Sequence, residues 1–226
     1  MKFPYRLNYE WELPNELDRE FDRSFKNILK GSPAVVTCRS PWVRMDLADM
    51  PGIFVDAPVI GVNLSFLSIP ARYCVSGGDP LFWRHVNPSE HPRVNFILAG
   101  SERNLDAMVA QDWPNAWAFT PGGILPRGFE KHQRNFPRPW KYDNSGNVAV
   151  WLAWYMGADP IFIAGAHHQL CQSTIHGDDP TLDPTGEALL QHYRGSLPAA
   201  REELQNLVVA MRADGRLVQW PGENHA

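Results

Sequence analysis

Cysteine is scarce in this chain, with three in 226 residues, Cys38, Cys74 and Cys171. An odd number without any Cys-x-x-Cys spacing excludes a disulfide framework and a zinc ribbon, and it points to a reducing compartment. Long apolar runs are missing as well. No stretch approaches the ~20 residues a bilayer-spanning helix needs, and the opening Met1-Lys2-Phe3-Pro4-Tyr5-Arg6 turns polar at once. The expectation is a soluble cytoplasmic protein with no membrane partner. A basic excess is also absent. With a formal net charge of −4 the chain lacks the clustered Lys and Arg that broad nucleic-acid binding requires, although a local anion site stays open. No internal repeat or low-complexity tract is present, so a repeat architecture is not expected.

What is present is ordinary globular material, 44% hydrophobic and 20% charged, enough for one sizeable α/β domain over residues 1–226. Residues 1–31 read as an N-terminal helical extension, in which Leu17, Phe21, Phe25 and Leu29 recur every four positions before Gly31. Short apolar runs then read as buried strands: Ala34–Thr37, Val59–Val62, Tyr73–Ser76, Asn95–Leu98, Ile161–Ala164 and finally Arg216–Gln219. Helices are expected over Ser101–Ala110 and from Thr185 to Arg212, the latter broken near Gly195–Pro198. Residues 112–143 are rich in Pro, Gly, Trp and Phe, with Arg127, Lys131, His132, Arg134, Arg138 and Lys141. So long an aperiodic stretch is expected to be an insertion, either a lid over a site or a static surface wrap.

The stretch from Asp143 to His176 carries the clearest site pattern. Asn144-Ser145-Gly146-Asn147 opens an apolar helix over Val148–Met156. Ser145 is expected to be its N-cap, Gly146 to let a ligand come close to the backbone, and the first N–H groups to bind an anion such as phosphate. Gly157 supplies the stop, and Gly165-Ala166-His167-His168 follows the next strand. Ligands of open parallel sheets bind beyond the carboxyl ends of the strands, so the histidines and the Ser145 turn are expected to face one pocket.

Other strand ends are polar too. Cys38-Arg39-Ser40-Pro41 is a second candidate anion site, Asn63 ends the second strand, and Asp79 lies just beyond the third. Asn63 either bonds a nucleobase or phosphate or caps the next segment, and Asp79 either serves a ligand or is a turn residue before Pro80. His167, His168 and His176 are candidates for acid–base work because imidazole titrates near neutrality. Their spacing matches no strong zinc pattern. Adjacent side chains on an extended end point to opposite sides, so one of His167 and His168 is expected to be structural. Cys38 reads as a packed residue rather than a nucleophile. Trp113, Trp117 and Trp140 are filler or stack on a base or sugar.

The order of these parts resembles the Rossmann-like 6-hydroxymethylpterin diphosphokinase-like family and, more distantly, a bacterial sialyltransferase family. The resemblance rests on Ser40-Pro41, Gly61-Val62-Asn63, Asp79, Ser145-Gly146, Met156-Gly157-Ala158-Asp159, Ile163-Ala164-Gly165 and His176, between Pro33 and His176. It implies a Rossmann-like α/β fold, a mostly parallel sheet with helices on both faces, here with a long Pro/Trp-rich insertion. It further implies a transferase that grips a nucleotide or nucleotide-sugar donor with Arg39, Ser40, Asn63, Ser145, Gly146 and Asn147. Asp79 would hold Mg2+ on a diphosphate, and His167, His168 or His176 would act as acid or base. The reaction would be diphosphate transfer to a pterin-like alcohol or glycosyl transfer.

Two departures bear on this. The family's Gly-x-Gly-Pro-Ser turn is replaced by Thr37-Cys38-Arg39-Ser40-Pro41, and its acidic residue after the last glycine by Ala166-His167-His168. Carboxylates suit a hard ion and imidazoles a softer metal or proton transfer, so the family's metal chemistry is expected to be altered or lost. The alternative is a non-catalytic Rossmann-like binding or accessory protein, of the kind a phage or mobile element encodes.

Overall fold

The computed structural model describes residues 23–38, 40, 42–76, 82, 86–99, 116–119, 144–167 and 183–224. Strand β1 (Ala34–Thr37) is central, and β2 (Val59–Val62), β3 (Tyr73–Ser76), β4 (Asn95–Ala99) and β5 (Ala116–Phe119) extend from it on one side. Helix α1 (Val43–Ala48) follows β1, and helix α2 (Ser145–Tyr155) precedes β6 (Ile161–Ala164), which lies on the other side of β1. Helix α3 (Asp183–Ala213) and β7 (Val218–Gln219) complete the seven-stranded order β5-β4-β3-β2-β1-β6-β7. Every pairing is parallel. The protein thus has the expected Rossmann-like α/β fold, and its strand order reverses between β1 and β6.

The sheet is covered on both faces, which explains why its strands carry apolar residues at consecutive positions rather than alternating ones. Ala34, Val36, Ile60, Val62, Tyr73, Val75, Ile161 and Ile163 pack on one face against α2 and against Leu204, Leu207, Val208 and Met211 of α3. On the other face Val35, Phe162 and Ala164 meet Phe54, Val43 and Leu47. Beside them Cys74 and Phe96 meet Phe66 and Phe82. Helix α2 is buried at nearly every position because it lies between the sheet and α3.

Helix α2 ends as its sequence suggests. Gly157 is left-handed at φ 81, its N–H donates to the Trp154 carbonyl, and the Ala158 N–H reaches back to Ala153. Those two bonds satisfy carbonyls the helix end would otherwise leave open. The N-terminal extension is described only from residue 23; the helix expected to run to Gly31 ends at Phe25, Asn27 is left-handed at φ 58, and Leu29 reaches the core from a turn instead of from a helical face.

Two expectations need correction. Helix α3 runs unbroken through Pro198. Proline removes one backbone bond, and the stripe Ala200, Leu204, Leu207, Val208 and Met211 anchors the helix to the core just beyond it. Within the stretch expected to be irregular, Ala116–Phe119 forms β5 against β4. Its alternating small and aromatic residues suit a pleated strand. The rest of 112–143 and the expected helix Ser101–Ala110 lie outside the described residues.

A Cβ at Gly157 would stand 3.1 Å from the Lys30 Cα and 3.2 Å from the Asn27 Cα, whereas one at Gly215, also left-handed at φ 85, would meet nothing within 4 Å. Gly157→Ala is therefore expected to lower unfolding free energy in urea by about 2–4 kcal/mol and Gly215→Ala by about 1–2 kcal/mol. Equal losses would mean that the packing of Asn27 and Lys30 on the helix end contributes nothing.

Candidate functional site

The carboxyl ends of β1 and β6 meet where the strand order reverses, the place where open α/β sheets form a ligand crevice. The segments gathered there are the loop after β1, helix α1, the loop after β6 and the first turn of α2. Asp46 of α1 joins two of them. Its Oδ2 accepts the Gly165 N–H at 2.6 Å and contacts His167 Nε2 at 2.9 Å. Both side chains are buried, Asp46 at 6% exposure and His167 at 4%.

The approach is tight enough to require glycine. Gly165 is left-handed at φ 72, and a Cβ there would stand 2.6 Å from the Cys38 carbonyl oxygen and 2.8 Å from the Val43 Cβ. The His167 ring also meets Trp42, with centroids 5.2 Å apart, and the His167 carbonyl accepts from Arg201 at 2.9 Å. Arg201 further donates to the carbonyls of Gly222 and Glu223, and Trp220 Nε1 donates to the Ala166 carbonyl. The backbone after β6 is thus held from α1 on one side and from the C-terminal segment on the other.

The first turn of α2 differs from expectation. Asn144, not Ser145, is the N-cap, and its Oδ1 accepts from the N–H groups of Gly146 and Asn147. Both residues are good caps, and the helix begins one residue earlier than a Ser145 cap would place it. Two donors expected for an anion are therefore engaged within the turn. A Cβ on Gly146 would meet Asn144 Oδ1 at 3.0 Å and Cys38 Sγ at 3.2 Å, so the glycine lets the helix pack on the loop after β1. The Asn147 side chain faces α3, where Nδ2 donates to the Ala200 carbonyl at 3.0 Å and to Glu203 Oε2 at 3.3 Å.

Ser40 is buried, and its Oγ accepts from the Trp42 N–H at the entry to α1. Asn63 stands at the end of β2 with left-handed backbone, φ 51. Ser65 ties that strand end to β1: its Oγ accepts the Val62 N–H at 2.8 Å and donates to the Thr37 carbonyl at 2.9 Å. The structure therefore brings Ser40, Ser145, Gly146 and His167 to the β1/β6 end and places Asn63 one strand away. Arg39, Asp79, His168 and His176 lie outside the described residues, as do Trp113 and Trp140.

Asp46, Trp42, Asn144 and Arg201 were not singled out in the sequence. Asp46 left one signal, a carboxylate inside Val43-Arg44-Met45-Asp46-Leu47, but nothing local shows that it turns inward toward the end of β6.

Chemically, the end of β1 is not a nucleophile. Burial, aided by the Asp46 carboxylate, pushes the Cys38 thiol up to about 12, and burial raises Cys74 well above the ordinary thiol value. Among the described residues no group of three His, Cys, Asp or Glu side chains stands together as a metal site, and no helix is long and apolar enough to cross a membrane. No family model matches the chain, and no curated protein shows significant similarity to it.

Removing the Asp46 carboxylate would leave the Gly165 N–H and the His167 ring without that acceptor. Asp46→Ala is expected to destabilise the fold by about 2–4 kcal/mol in urea unfolding, and Met45→Ala, on the exposed side of α1, by less than about 0.5 kcal/mol. An Asp46→Ala loss as small as that of Met45→Ala would remove Asp46 from its joining role. The thiols set an alkaline limit. Folded Cys38 keeps its proton to about 12 while an unfolded thiol releases it near 9.0. Its contribution is full below the unfolded value and is lost as pH rises through this window. The urea midpoint should fall between pH 9 and 11, and fall less steeply in Cys38→Ala; parallel curves would contradict the assignment.

Proposed function

We propose that the protein binds a nucleotide or diphosphate donor along the carboxyl ends of its strands and acts as a transferase of diphosphokinase or glycosyltransferase type. The observation that carries this reading is the buried Asp46–His167 pair at the β1/β6 reversal. A carboxylate that fixes an imidazole in one orientation prepares it to take a proton from an attacking hydroxyl. The acceptor alcohol would lose its proton to His167 as its oxygen attacks the transferred diphosphate or sugar, the bond from that group to the rest of the donor breaking so that a nucleotide leaves, and positioning together with fixed charge would supply the rest of the rate.

Arg39, next to Ser40, is the residue type that balances phosphate charge. Asp79, shortly after β3, is the one that would hold magnesium on the donor. The resemblance to the 6-hydroxymethylpterin diphosphokinase-like family supports these two roles. A cytoplasmic setting, where such donors are abundant, agrees with the scarcity of cysteine.

A second reading is favoured by one observation. His167 is 4% exposed between Asp46 and Trp42, as befits a side chain that locks the loop after β6 in a binding protein without catalysis.

A thermal-shift series with nucleotides, nucleotide sugars and pterins, with and without magnesium, separates the readings. One donor class is expected to stabilise the chain by about 2.7 kcal/mol at a hundredfold excess over its Kd. His167→Gln should keep that ligand-induced shift while abolishing transfer. Binding without transfer in the unaltered chain would support the second reading, and a flat series would sink the donor-binding proposal.

A further inference from the structure

We infer that residues 220–223, just after β7, form an autoinhibitory strap that keeps His167 covered, and that detachment of the strap opens the crevice. The inference rests on the donor-binding reading for the use to which His167 is put, and it adds how that side chain is kept from use. To take a proton His167 must come within about 2.6–3.2 Å of the acceptor hydroxyl. At 4% exposure it cannot do so in this arrangement. A change of position is therefore built into the proposed chemistry.

Two holds act on the loop after β6, and they differ in kind. On the α1 side Asp46 Oδ2 takes the Gly165 N–H, and Gly165 lies directly against the Cys38 carbonyl and Val43. That hold is buried and packed without slack. On the other side the grip is on two backbone carbonyls: Trp220 Nε1 donates to Ala166 at 2.9 Å, and Arg201 donates to His167 at 2.9 Å. The same guanidinium donates to the carbonyls of Gly222 and Glu223 and lies over the Trp220 ring, so loop and strap are stitched together through one side chain.

The outer end of the strap is its weak point. Arg212 holds Glu223 through bonds of 2.8 and 2.9 Å, but these side chains are 40% and 29% exposed. A pair so open to water contributes little and is screened by salt. The inner end fits closely instead: a Cβ on Gly222 would stand 2.8 Å from Trp220 Nε1 and 3.0 Å from the Ala166 carbonyl oxygen. The strap thus closes over Ala166 by shape and is fastened by an ion pair that water reaches. Trp220 is its one large buried side chain, which suits a segment that opens without the rest of the fold. Its lifting frees the carbonyls of Ala166 and His167, while Asp46 stays on α1 to orient the imidazole.

The test is acylation of histidines by diethyl pyrocarbonate in the full chain, quantified by peptide mass mapping with half-buried His91 as internal reference. It needs no ligand, whereas the thermal-shift series tests donor binding, so the two readings can fail separately. Glu223→Gln unfastens the strap, Gly222→Ala pushes it off Ala166, and Asp214→Asn alters a carboxylate that serves Trp154 instead. Relative to His91, His167 should react about threefold faster in Glu223→Gln and about tenfold or more faster in Gly222→Ala. Asp214→Asn should leave the ratio unchanged. Sodium chloride at about 0.5 M should speed the reaction of His167 in the unaltered chain but not in Glu223→Gln.

A His167 rate indifferent to Glu223→Gln and Gly222→Ala, with circular dichroism and urea midpoints showing both variants folded, overturns the strap and leaves the donor-binding reading intact. A parallel rise at His91 overturns it too, since labelling then reports general unfolding. Should a variant fail to fold, the salt dependence of the unaltered chain decides, and a flat dependence counts against the strap. If His167 responds as expected while no donor shifts the melting temperature, the strap stands and the donor-binding reading falls.

Discussion

One carboxylate oxygen, Asp46 Oδ2, joins the connection that follows β1 to the connection that follows β6. It accepts from Gly165 and contacts His167 at the end of β6, and much of the crevice geometry follows. With the Gly165 N–H held by α1, the chain must turn through a left-handed residue directly against the Cys38 carbonyl, where a side chain has no room. That turn carries His167 inward onto Trp42 and leaves the carbonyls of Ala166 and His167 facing the C-terminal segment, where Trp220 and Arg201 take them up. A buried pair of this kind offsets its own desolvation only when its remaining groups are bonded too. Here Oδ2 has two partners, and the backbone that carries His167 is held by Arg201 and Trp220.

The C-terminal segment makes the arrangement rigid. Arg201 donates to three backbone carbonyls and lies 5.6 Å from the Trp220 ring. Arg212 grips Glu223 through two bonds and also the Val218 carbonyl. The hydrogen bond and charge of Arg212 hold the Glu223 carboxyl below its ordinary value. The pair is partly exposed, so water and salt screen it. Its role is to fix the register of 218–224 beneath the loop after β6. Helix α3 thus does two things: its apolar stripe closes the core, and its arginines position the edge of the crevice.

The strands were legible because burial on both faces writes itself as short apolar runs, and Ala34–Thr37 and Ile161–Ala164 appear in the structure with the same bounds. Gly157 was legible as a stop because its left-handed bonds are local. Continuation through Pro198 was not, since what outweighs the proline is a stripe whose partners lie far off in the chain. The capping residue was misplaced by one position because Asn144 and Ser145 are equally good caps, and only the paths of the neighbouring segments decide between them. Asp46 was invisible for the same kind of reason: its two partners are more than a hundred residues away. Local chemistry is readable from local sequence, whereas a site assembled from several crossovers is not.

Two kinds of buried polarity remain along this edge, and they differ in what they say about function. The Asp46–His167 pair is satisfied and joins two segments, so stability alone accounts for much of it. A join of similar strength can be made by apolar side chains, as Val43 and Leu47 make one nearby. Only on the proposed reading does its place at the reversal of strand order tie the pair to chemistry. Asn63 Oδ1 and Ser76 Oγ are the opposite case, since they have no hydrogen-bond partner among the described residues and their burial weakens the fold. Alanine at Ser76 would fill the strand end without an orphaned hydroxyl.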